Sequence, residues 1–458
     1  MNISEEKSVS SGYSAKGSNN FLYYGLLVYT ILFYSQIGAR IPALAPLRIE
    51  FILGSILVFL SLVKIINNNV RFNENKLNLA ALLFLLAAFI TIPFALVKTR
   101  ALNMFISFIK FFAIYLLIIA AIDDDRKLKG FIYVYLGMIT LLFIEPFFLS
   151  LQGKGFMYNN HMWRLAGVTH YFGHPNQLGG MTAENLPFFY YFMKYEKSKV
   201  GKLIYFSLIL IALRVIMLTQ SRTAFVGAMT VAFFIWVFNK KKILSLCVIA
   251  LSCIILWQFA PQQTKDRFLT LSKISETVTT EEADFEDERV SSLGSMASRW
   301  ELIRRGFICF FENPILGVGL DCYPSFQGRR WGLWFPPHNT YIQALAEMGI
   351  IGSTIFAYLI VMIFKNLKFS RTIFRERGGQ DLFLSTMITA VSVYFITRIV
   401  VSFFGQDLYA NYWWVAGGLS LVLLRIVKSK YQNHMARSLQ TPNLKADEIQ
   451  PWPIENQK

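Results

Sequence analysis

The sequence predicts an all-α polytopic membrane protein. Of its 458 residues, 54% are hydrophobic. Apolar runs of roughly 17 to 25 residues recur along the chain, and each is long enough to cross the hydrocarbon core of a bilayer. A soluble chain of this length would need far fewer such runs. Lys and Arg concentrate in short loops between the runs, as the positive-inside rule expects of a membrane protein.

The apolar runs predict twelve transmembrane helices. Their expected ranges are 21–38, 46–63, 78–97, 101–122, 131–151, 177–193, 203–219, 223–239, 243–260, 339–364, 382–402 and 408–426. Because this number is even, both termini are expected on the same side of the membrane. The first span is expected to direct insertion, since the polar, Ser-rich residues before it are not typical of a cleavable signal peptide.

These spans divide the chain into five regions. They are an N-terminal tail at 1–20, spans one to nine at 21–260, a large, partly helical outer loop at 261–338, spans ten to twelve at 339–427, and a C-terminal tail at 428–458. The positive-inside rule predicts cytoplasmic tails and an outward-facing large loop. The net charge of +17 is mostly this topological signal, so no nucleic-acid partner is expected.

The large outer loop changes in composition along its length. Residues 275–290 are acidic and Thr-rich, which predicts a mobile segment. Residues 296–312 carry apolar side chains at helical spacing, which predicts an amphipathic surface helix capped by Ser298, with Glu301 three residues on. The stretch "NPILGVGL" then predicts a tight turn. A phosphate-binding loop is the weaker alternative, because no Gly-Lys-Ser/Thr follows.

Several cations lie on the predicted outer face around one histidine. His338 follows two prolines at the mouth of span ten, Arg222 lies in the turn between spans seven and eight, and Arg299 begins the surface helix. The same face carries further basic residues at Lys98, Arg100, Arg164 and Arg304. Positive residues on this side oppose the topological preference, so they indicate an anionic ligand at the lipid–water boundary.

Each of these residues also has a purely structural explanation. Arg222 could snorkel from a helix end, Arg299 could be an exposed charge on its helix, and His338 could cap span ten. Lys98 and Arg100 could anchor spans three and four at the membrane interface.

Span ten contains two further polar residues, Asn339 and Glu347. Asn339 is expected either to orient the imidazole of His338 or to cap the helix. Glu347 lies roughly 13 Å along a regular helix from His338, so we assign it to structure. Arg214 or Arg398 is its suggested partner.

The sequence predicts no metal or other cofactor. Cys309 and Cys322 lie together in the large outer loop, where a disulfide is chemically possible. No Cys/His spacing typical of zinc occurs. The acidic stretch "DDD" at 123–125 falls on the predicted cytoplasmic side and is typical of a solvated helix end.

Several stretches resemble the O-antigen ligase and O-antigen polymerase superfamily. They are "RLAGVTHYFGHPNQLGG", "SRTA", "SRWELIRRGF" followed by "ENPILGVGLD", and "PHNTYIQALAEMGIIG". The resemblance covers about residues 160–355. It implies a bacterial inner-membrane glycosyltransferase of surface polysaccharide assembly. Such an enzyme moves a glycan from a polyprenyl diphosphate, usually undecaprenyl diphosphate, to an acceptor hydroxyl on the outer face.

By motif, the resemblance places metal-independent catalysis on Arg222, Arg299 and His338. In this interpretation His338 deprotonates or orients the acceptor hydroxyl, while the two arginines hold the departing lipid diphosphate, so the anomeric carbon inverts. The expected contacts of the diphosphate and glycan are Arg164, Lys98, Arg100, Asn176, Arg304 and Asn339.

Elementary chemistry agrees with this assignment. Cleavage of a sugar–diphosphate bond needs positive charge on the leaving group, from a metal or from guanidinium. The first outer loop, "GARIPALAPLR", has no acidic residue to hold a metal, and the planar fork of guanidinium suits phosphate oxygens. Imidazole suits a base that works near neutral pH.

Alternatives remain open for the acceptor and for the function class. The acceptor is lipid A core for a ligase, a second lipid-linked glycan for a polymerase, and a protein hydroxyl for an O-oligosaccharyltransferase. No residue decides between ligase and polymerase. A transporter or flippase of the same lipid-linked glycan and a non-catalytic scaffold are the competing classes. Membrane lipids, the glycan donor and the acceptor are the expected partners.

Overall fold

The structure is a computed structural model that describes residues 20–67, 72–159, 162–169, 172–258, 265 and 288–431. The helices are α1 (Asn20–Ser35), α2 (Ile37–Arg40), α3 (Ile49–Ile66), α4 (Lys76–Thr91), α5 (Lys98–Ala121), α6 (Asp125–Leu151), α7 (Pro175–Tyr195), α8 (Lys199–Thr219), α9 (Arg222–Phe238), α10 (Lys242–Gln258), α11 (Glu288–Glu312), α12 (Tyr323–Trp331), α13 (Thr340–Glu376), α14 (Leu382–Val401) and α15 (Tyr412–Tyr431). Short 3-10 helices occupy Pro42–Leu47, Phe72–Glu74 and Ile92–Phe94.

The helices coincide with the apolar runs of the sequence. Each of the twelve predicted spans overlaps one helix, namely α1, α3 to α10 or α13 to α15. Within the described residues, eight helical segments are long and apolar enough to cross a membrane, and Arg222–Phe238 is a shorter apolar helix. The structure is thus that of a helical, multi-pass membrane protein. Twelve crossings and cytoplasmic termini stay predictions.

The predicted class omits one small element. In the loop after α6, β1 (Phe156–Asn159) and β2 (Met162–Leu165) form an antiparallel hairpin that pairs Phe156 with Leu165. The acidic stretch before α6 is a helix end, as predicted, because Asp124 accepts a hydrogen bond from the Lys127 backbone and caps the helix.

The centre of the bundle is built from α13, α14 and α15 against α4, α5 and α7. Lipid chains are as apolar as the helices, so close van der Waals packing and internal hydrogen bonds hold such a bundle together. Trp414 on α15 is 1% exposed, with its ring 5.3 Å from those of both Phe108 and Phe112. Gly418 lets α15 approach α5, since a Cβ there would lie 2.9 Å from the Ile118 side chain.

A buried ion cluster joins α7 to α14 and the loop that follows α14. Arg398, 2% exposed, donates to Glu184 at 2.7 Å and also binds Asp407. The suggested pairing of Glu347 with Arg398 is therefore wrong. The Glu347 carboxylate instead accepts hydrogen bonds from the Tyr323 backbone, the Gln343 side chain and the Tyr409 hydroxyl, at 3.2, 3.1 and 2.7 Å.

The turn predicted at "NPILGVGL" docks against a break in α13. Gly317 and Gly349 both have positive φ, at +68° and +61°. The turn's amides are engaged, since Val318 N donates to the Ala346 carbonyl at 2.9 Å. In return, Ile350 N donates to the Pro314 carbonyl at 2.8 Å. The tight turn is thus confirmed and the phosphate-loop alternative is wrong.

Replacing Gly349 with alanine is expected to lower the free energy of unfolding by more than about 1–2 kcal/mol. A left-handed backbone costs a non-glycine residue about that much, and the new Cβ would also collide with the Ile315 carbonyl. Thermal unfolding in detergent measures the effect. Gly137→Ala is the matched control, because a Cβ there has open space and Gly137 lies inside a regular helix. Equal stability of the two variants would contradict the argument.

The helix α11, in the predicted outer loop, begins earlier than predicted, at Glu288. Ser298 therefore lies inside the helix and is not its cap. Glu301 pairs with Arg304 at 2.6 Å and with Arg305 at 2.7 Å. Most of the predicted mobile segment, residues 275–287, lies outside the described residues, as do residues 1–19 and 432–458 of the two predicted tails. Residue 20 and residues 428–431 of those tails belong to α1 and α15. Cys309 and Cys322 are free thiols, so they form no disulfide in this structure.

Candidate functional site

His338 lies just before Asn339, the N-cap residue of α13. Asn339 caps the helix, because its side-chain oxygen accepts from the backbones of Tyr341 and Ile342 at 3.0 and 3.1 Å. Its amide nitrogen donates to the Phe403 carbonyl at 3.2 Å, which ties the cap to the end of α14. The capping role predicted for Asn339 is thus confirmed.

The His338 backbone is in a conformation that side chains other than glycine seldom adopt. Its φ is +49°, in the left-handed region. Such strain costs about 1–3 kcal/mol and is usually kept only where the surroundings demand it, often at functional sites. Here the surroundings are Pro337, which precedes His338, and the Asn339 cap that follows it. They fix where the half-buried imidazole points.

Arg222 is the first residue of α9. Ser221 caps this helix, accepting from the Ala224 backbone at 3.4 Å. The helix end lies directly on α7, because a Cβ on Gly179 would be 2.8 Å from the Ala224 side chain. The Arg222 Nε atom is buried and has no hydrogen-bond partner among the described residues. One donor of this guanidinium is therefore available to a ligand.

Arg299 lies on α11, and close packing of α11 on α13 brings it toward His338. Cys309 on α11 is fully buried, and its thiol donates to the Ala346 carbonyl at 3.8 Å. Gly306 faces Ile342, where any Cβ would collide with the isoleucine side chain. The small residue at position 306 thus permits the approach that places Arg299 beside the start of α13.

Arg164 and Asn176 form a second buried part of the same site. Arg164 is 1% exposed; its Nε donates to the Thr219 carbonyl at 2.9 Å, and a terminal nitrogen donates to Asn176 Oδ1 at 2.5 Å. Asn176 lies in the first turn of α7, which His174 caps through its Nδ1 atom at 3.2 Å. The turn before Arg222 is therefore bound directly to the β1–β2 hairpin.

Electrostatic effects show that these side chains lie close together. Burial lowers the pKa of His338 to about 4, and the charge of Arg299 and then that of His174 add to this effect, while Asp407 opposes it. Burial also lowers the pKa of Arg164 to about 10, again with a contribution from Arg299. Arg299 is likewise an electrostatic neighbour of Arg222. We call Arg164, Arg222, Arg299, His174 and His338 the outer cluster, after the outer face on which their segments are predicted to lie.

The three arginines of the outer cluster lack a carboxylate partner within the described part of the chain. Burial is the largest cause of the lowered pKa of Arg299, as it is for Arg164. Burying a cation without a counter-charge is unfavourable, so a protein seldom keeps three of them together unless a ligand supplies negative charge. The outer cluster is therefore suited to binding a polyanion beside a neutral imidazole.

Other residues predicted to contact the substrate lie in separate contacts. Lys98 is exposed at the start of α5. Arg100 donates to Asp321 at 2.7 Å, which ties α5 to the segment before α12. Arg304 is exposed and engaged with Glu301. The structure thus brings Arg164 into the outer cluster, hydrogen-bonds Asn176 to it, and gives Arg100 and Arg304 acidic partners of their own.

Sequence reasoning missed two residues of the site. His174 stands in "GHPN", quoted for its Pro-Asn pair, where a histidine before the proline at a helix start was a detectable signal. Asp407 follows α14 and was not predicted as a site residue. Its partner Arg398 lies nine residues earlier, across a turn, so no regular helical spacing links the two. The backbone of Asp407 also contacts the start of α13, because Asp407 N donates to the Thr340 hydroxyl at 3.0 Å.

Comparison with known families supports the grouping. Residues 207–357 match the family model described as O-antigen ligase. The match covers about a third of the chain, including Arg222, Arg299 and His338. The resemblance noted in the sequence is confirmed over these residues; Arg164 and Asp407 lie outside the match. A search of curated proteins found no match.

Proposed function

We propose that this protein transfers a glycan from a polyprenyl diphosphate carrier to an acceptor hydroxyl at the outer face of the bacterial inner membrane. The observation that carries the proposal is the outer cluster, where Arg164 is buried and Arg222 and Arg299 are partly buried, all three without described carboxylate partners, and where Arg299 is an electrostatic neighbour of His338. The O-antigen ligase match over 207–357 supports glycan transfer as the reaction class. Lipopolysaccharide or another surface polysaccharide is the product in this proposal.

Each group has a distinct role in the proposed reaction. His338 takes the proton of the acceptor hydroxyl while the hydroxyl oxygen attacks the anomeric carbon of the donor. The bond from that carbon to the diphosphate breaks, and the diphosphate leaves with the electron pair. Arg222 and Arg299 stabilise the charge that develops on it, and Arg164 holds the β1–β2 hairpin and Asn176 around it. Attack opposite the leaving group inverts the anomeric carbon.

The low pKa of His338 fits this role in the donor complex. A neutral imidazole is present at pH 7 because the folded protein holds its pKa near 4. An imidazole of such low pKa is a weak base, yet the bound diphosphate would add negative charge and raise that pKa. The donor would thus activate the base that its own reaction requires.

Arg299→Gln is expected to lower the turnover number by roughly 10²–10³-fold, the usual cost of losing one donor to a developing anion. Purified protein in nanodiscs would receive a polyprenyl-diphosphate glycan, an acceptor and excess chelator, with product followed on gels. Arg330→Gln is the matched control, because Arg330 is an exposed outer-loop arginine paired with Glu312. Surface substitutions of this kind usually change energies by less than about 0.5 kcal/mol.

The outcomes of this assay separate the function classes. Transfer with chelator present supports the metal-independent reaction, and a ladder without added acceptor indicates a polymerase. A single product that needs lipid A core indicates a ligase. If no acceptor gives product while labelled donor crosses a vesicle membrane, the protein is a transporter and the enzyme proposal is wrong.

A further inference from the structure

A cavity lies at the far ends of the helices that carry the outer cluster. Its volume is about 270 Å³, and its walls come from the C-terminal ends of α7 and α9, from α13 near Arg371, and from the start of α14. α9 begins at Arg222 and ends at Phe238. A helix of 17 residues is roughly 25 Å long, so the two sites are about a membrane thickness apart. We call this space the inner cavity.

The inner cavity contains two cations without carboxylate partners in the described chain. The guanidinium of Arg371 lies 4.7 Å from the Phe238 ring, and its Nη2 atom is buried with no hydrogen-bond partner among the described residues. The Lys194 ammonium lies 5.2 Å from the Tyr190 ring. The neighbouring acids are engaged elsewhere: Glu196 accepts from the Ser198 backbone, and Asp381 binds Lys430 at 2.5 Å.

A buried hydroxyl adds to the polar lining of the inner cavity. Tyr191 lines the cavity and is 9% exposed, yet its hydroxyl has no hydrogen-bond partner among the described residues. Arg371 is an electrostatic neighbour of this hydroxyl. Buried hydroxyls are normally hydrogen-bonded, because leaving one unpaired costs about 1–3 kcal/mol. An unpaired hydroxyl beside a buried guanidinium donor indicates that a ligand with acceptor oxygens fills the space.

The remaining wall is mixed, because three hydroxyl-bearing residues of α14, Ser385, Thr386 and Thr389, lie beside apolar side chains. Leu382 is 55% exposed and Phe238 is 37% exposed, and both line the cavity. The cavity thus offers cations and hydroxyls to one part of a ligand and apolar side chains to another.

We propose that the inner cavity binds a phosphate group, neutralised by Arg371 and Lys194 and hydrogen-bonded by the Tyr191 hydroxyl. Guanidinium and ammonium are the side-chain groups that bind phosphate best in proteins. The phosphate can come from an anionic glycerophospholipid or from free phosphate. Basic pockets between helix ends at the cytoplasmic surface are typical sites for lipid headgroups, and the inner cavity lies on the predicted cytoplasmic side.

The test measures binding to the purified full-length protein in neutral detergent by native mass spectrometry. The probes are phosphatidylglycerol, phosphatidylcholine and inorganic phosphate. Lys194→Gln changes an exposed residue and is therefore expected to fold, and Arg371→Gln removes the buried donor. Each variant is expected to weaken binding of phosphatidylglycerol, or of inorganic phosphate if that is the ligand, by about tenfold or more. Lys368→Gln, an exposed lysine one turn earlier on α13, is the matched control and is expected to bind within about twofold of the parent.

Phosphatidylglycerol binding that inorganic phosphate does not displace would identify a lipid site. Displacement by inorganic phosphate would identify free phosphate as the source. If none of the three probes binds, or if Lys194→Gln and Arg371→Gln both bind as tightly as Lys368→Gln, the proposal is wrong. These outcomes do not depend on glycan transfer, since the readout is binding at the other end of the bundle.

Discussion

Replacing His338 with alanine is expected to lower the turnover number of glycan transfer by roughly 10²–10⁴-fold, the range that general base catalysis contributes. The imidazole is part of the outer cluster and has no described hydrogen bond that the variant would lose, so the stability of the fold is expected to change little. Alanine also tolerates the left-handed φ of +49° no better than histidine does. Initial rates with saturating donor measure the effect, and thermal unfolding of the same sample checks the fold.

The pH profile distinguishes a base from a merely structural histidine. Because the folded-state pKa of His338 is lowered to about 4, the imidazole stays neutral from pH 8 down to about pH 5. We therefore expect kcat/KM, which reports the free enzyme, to be flat across that range. The acidic limb of the kcat profile should lie at higher pH, because bound diphosphate raises the pKa of His338. A kcat/KM midpoint near 6.5, the ordinary histidine value, would contradict this electrostatic environment.

Local sequence signals predicted the helices and the chief residues of the candidate site. Apolar runs predicted the helices because a segment that crosses lipid must satisfy its backbone hydrogen bonds internally, as a helix does. Arg222, Arg299 and His338 were assigned by the motifs of the resemblance, and they belong to a wider set of basic residues on the predicted outer face that opposes the positive-inside rule. The structure brings all three within electrostatic reach of one another through Arg299. Their chemical roles stay predictions.

Contacts between distant segments could not be predicted in the same way. The helical pattern of α13 runs through Gly349, and an isolated glycine inside a helical pattern is ambiguous from sequence alone. Only the docked turn at Gly317 shows that the helix must break there. Similarly, Glu347 is a buried acid and Arg398 a buried base, and the sequence does not tell which buried acid pairs with which buried base. The structure pairs Arg398 with Glu184, 214 positions away.

That buried pair yields the second large expected effect, on stability. Arg398→Gln is expected to lower the free energy of unfolding by about 3–5 kcal/mol, because Glu184 would be left as an uncompensated charge at 0% exposure. Asp407 would lose the same partner, although it is 25% exposed and partly solvated. Unfolding in increasing concentrations of SDS, followed by tryptophan fluorescence, measures the difference between the variant and the parent.

A double substitution separates lost charge balance from lost packing. Arg398 also lies 4.5 Å from the Tyr412 ring, so a shorter side chain removes contacts as well as charge. If unpaired charge is the main cost, adding Glu184→Gln to Arg398→Gln should restore much of the stability, because two amides can hydrogen-bond without a net charge. If the double variant is as unstable as Arg398→Gln alone, packing against Tyr412 is the larger contribution and the charge argument is wrong. Activity gives an independent check, since Asp407 is an electrostatic neighbour of His338 and its release from Arg398 should raise the pKa of that histidine.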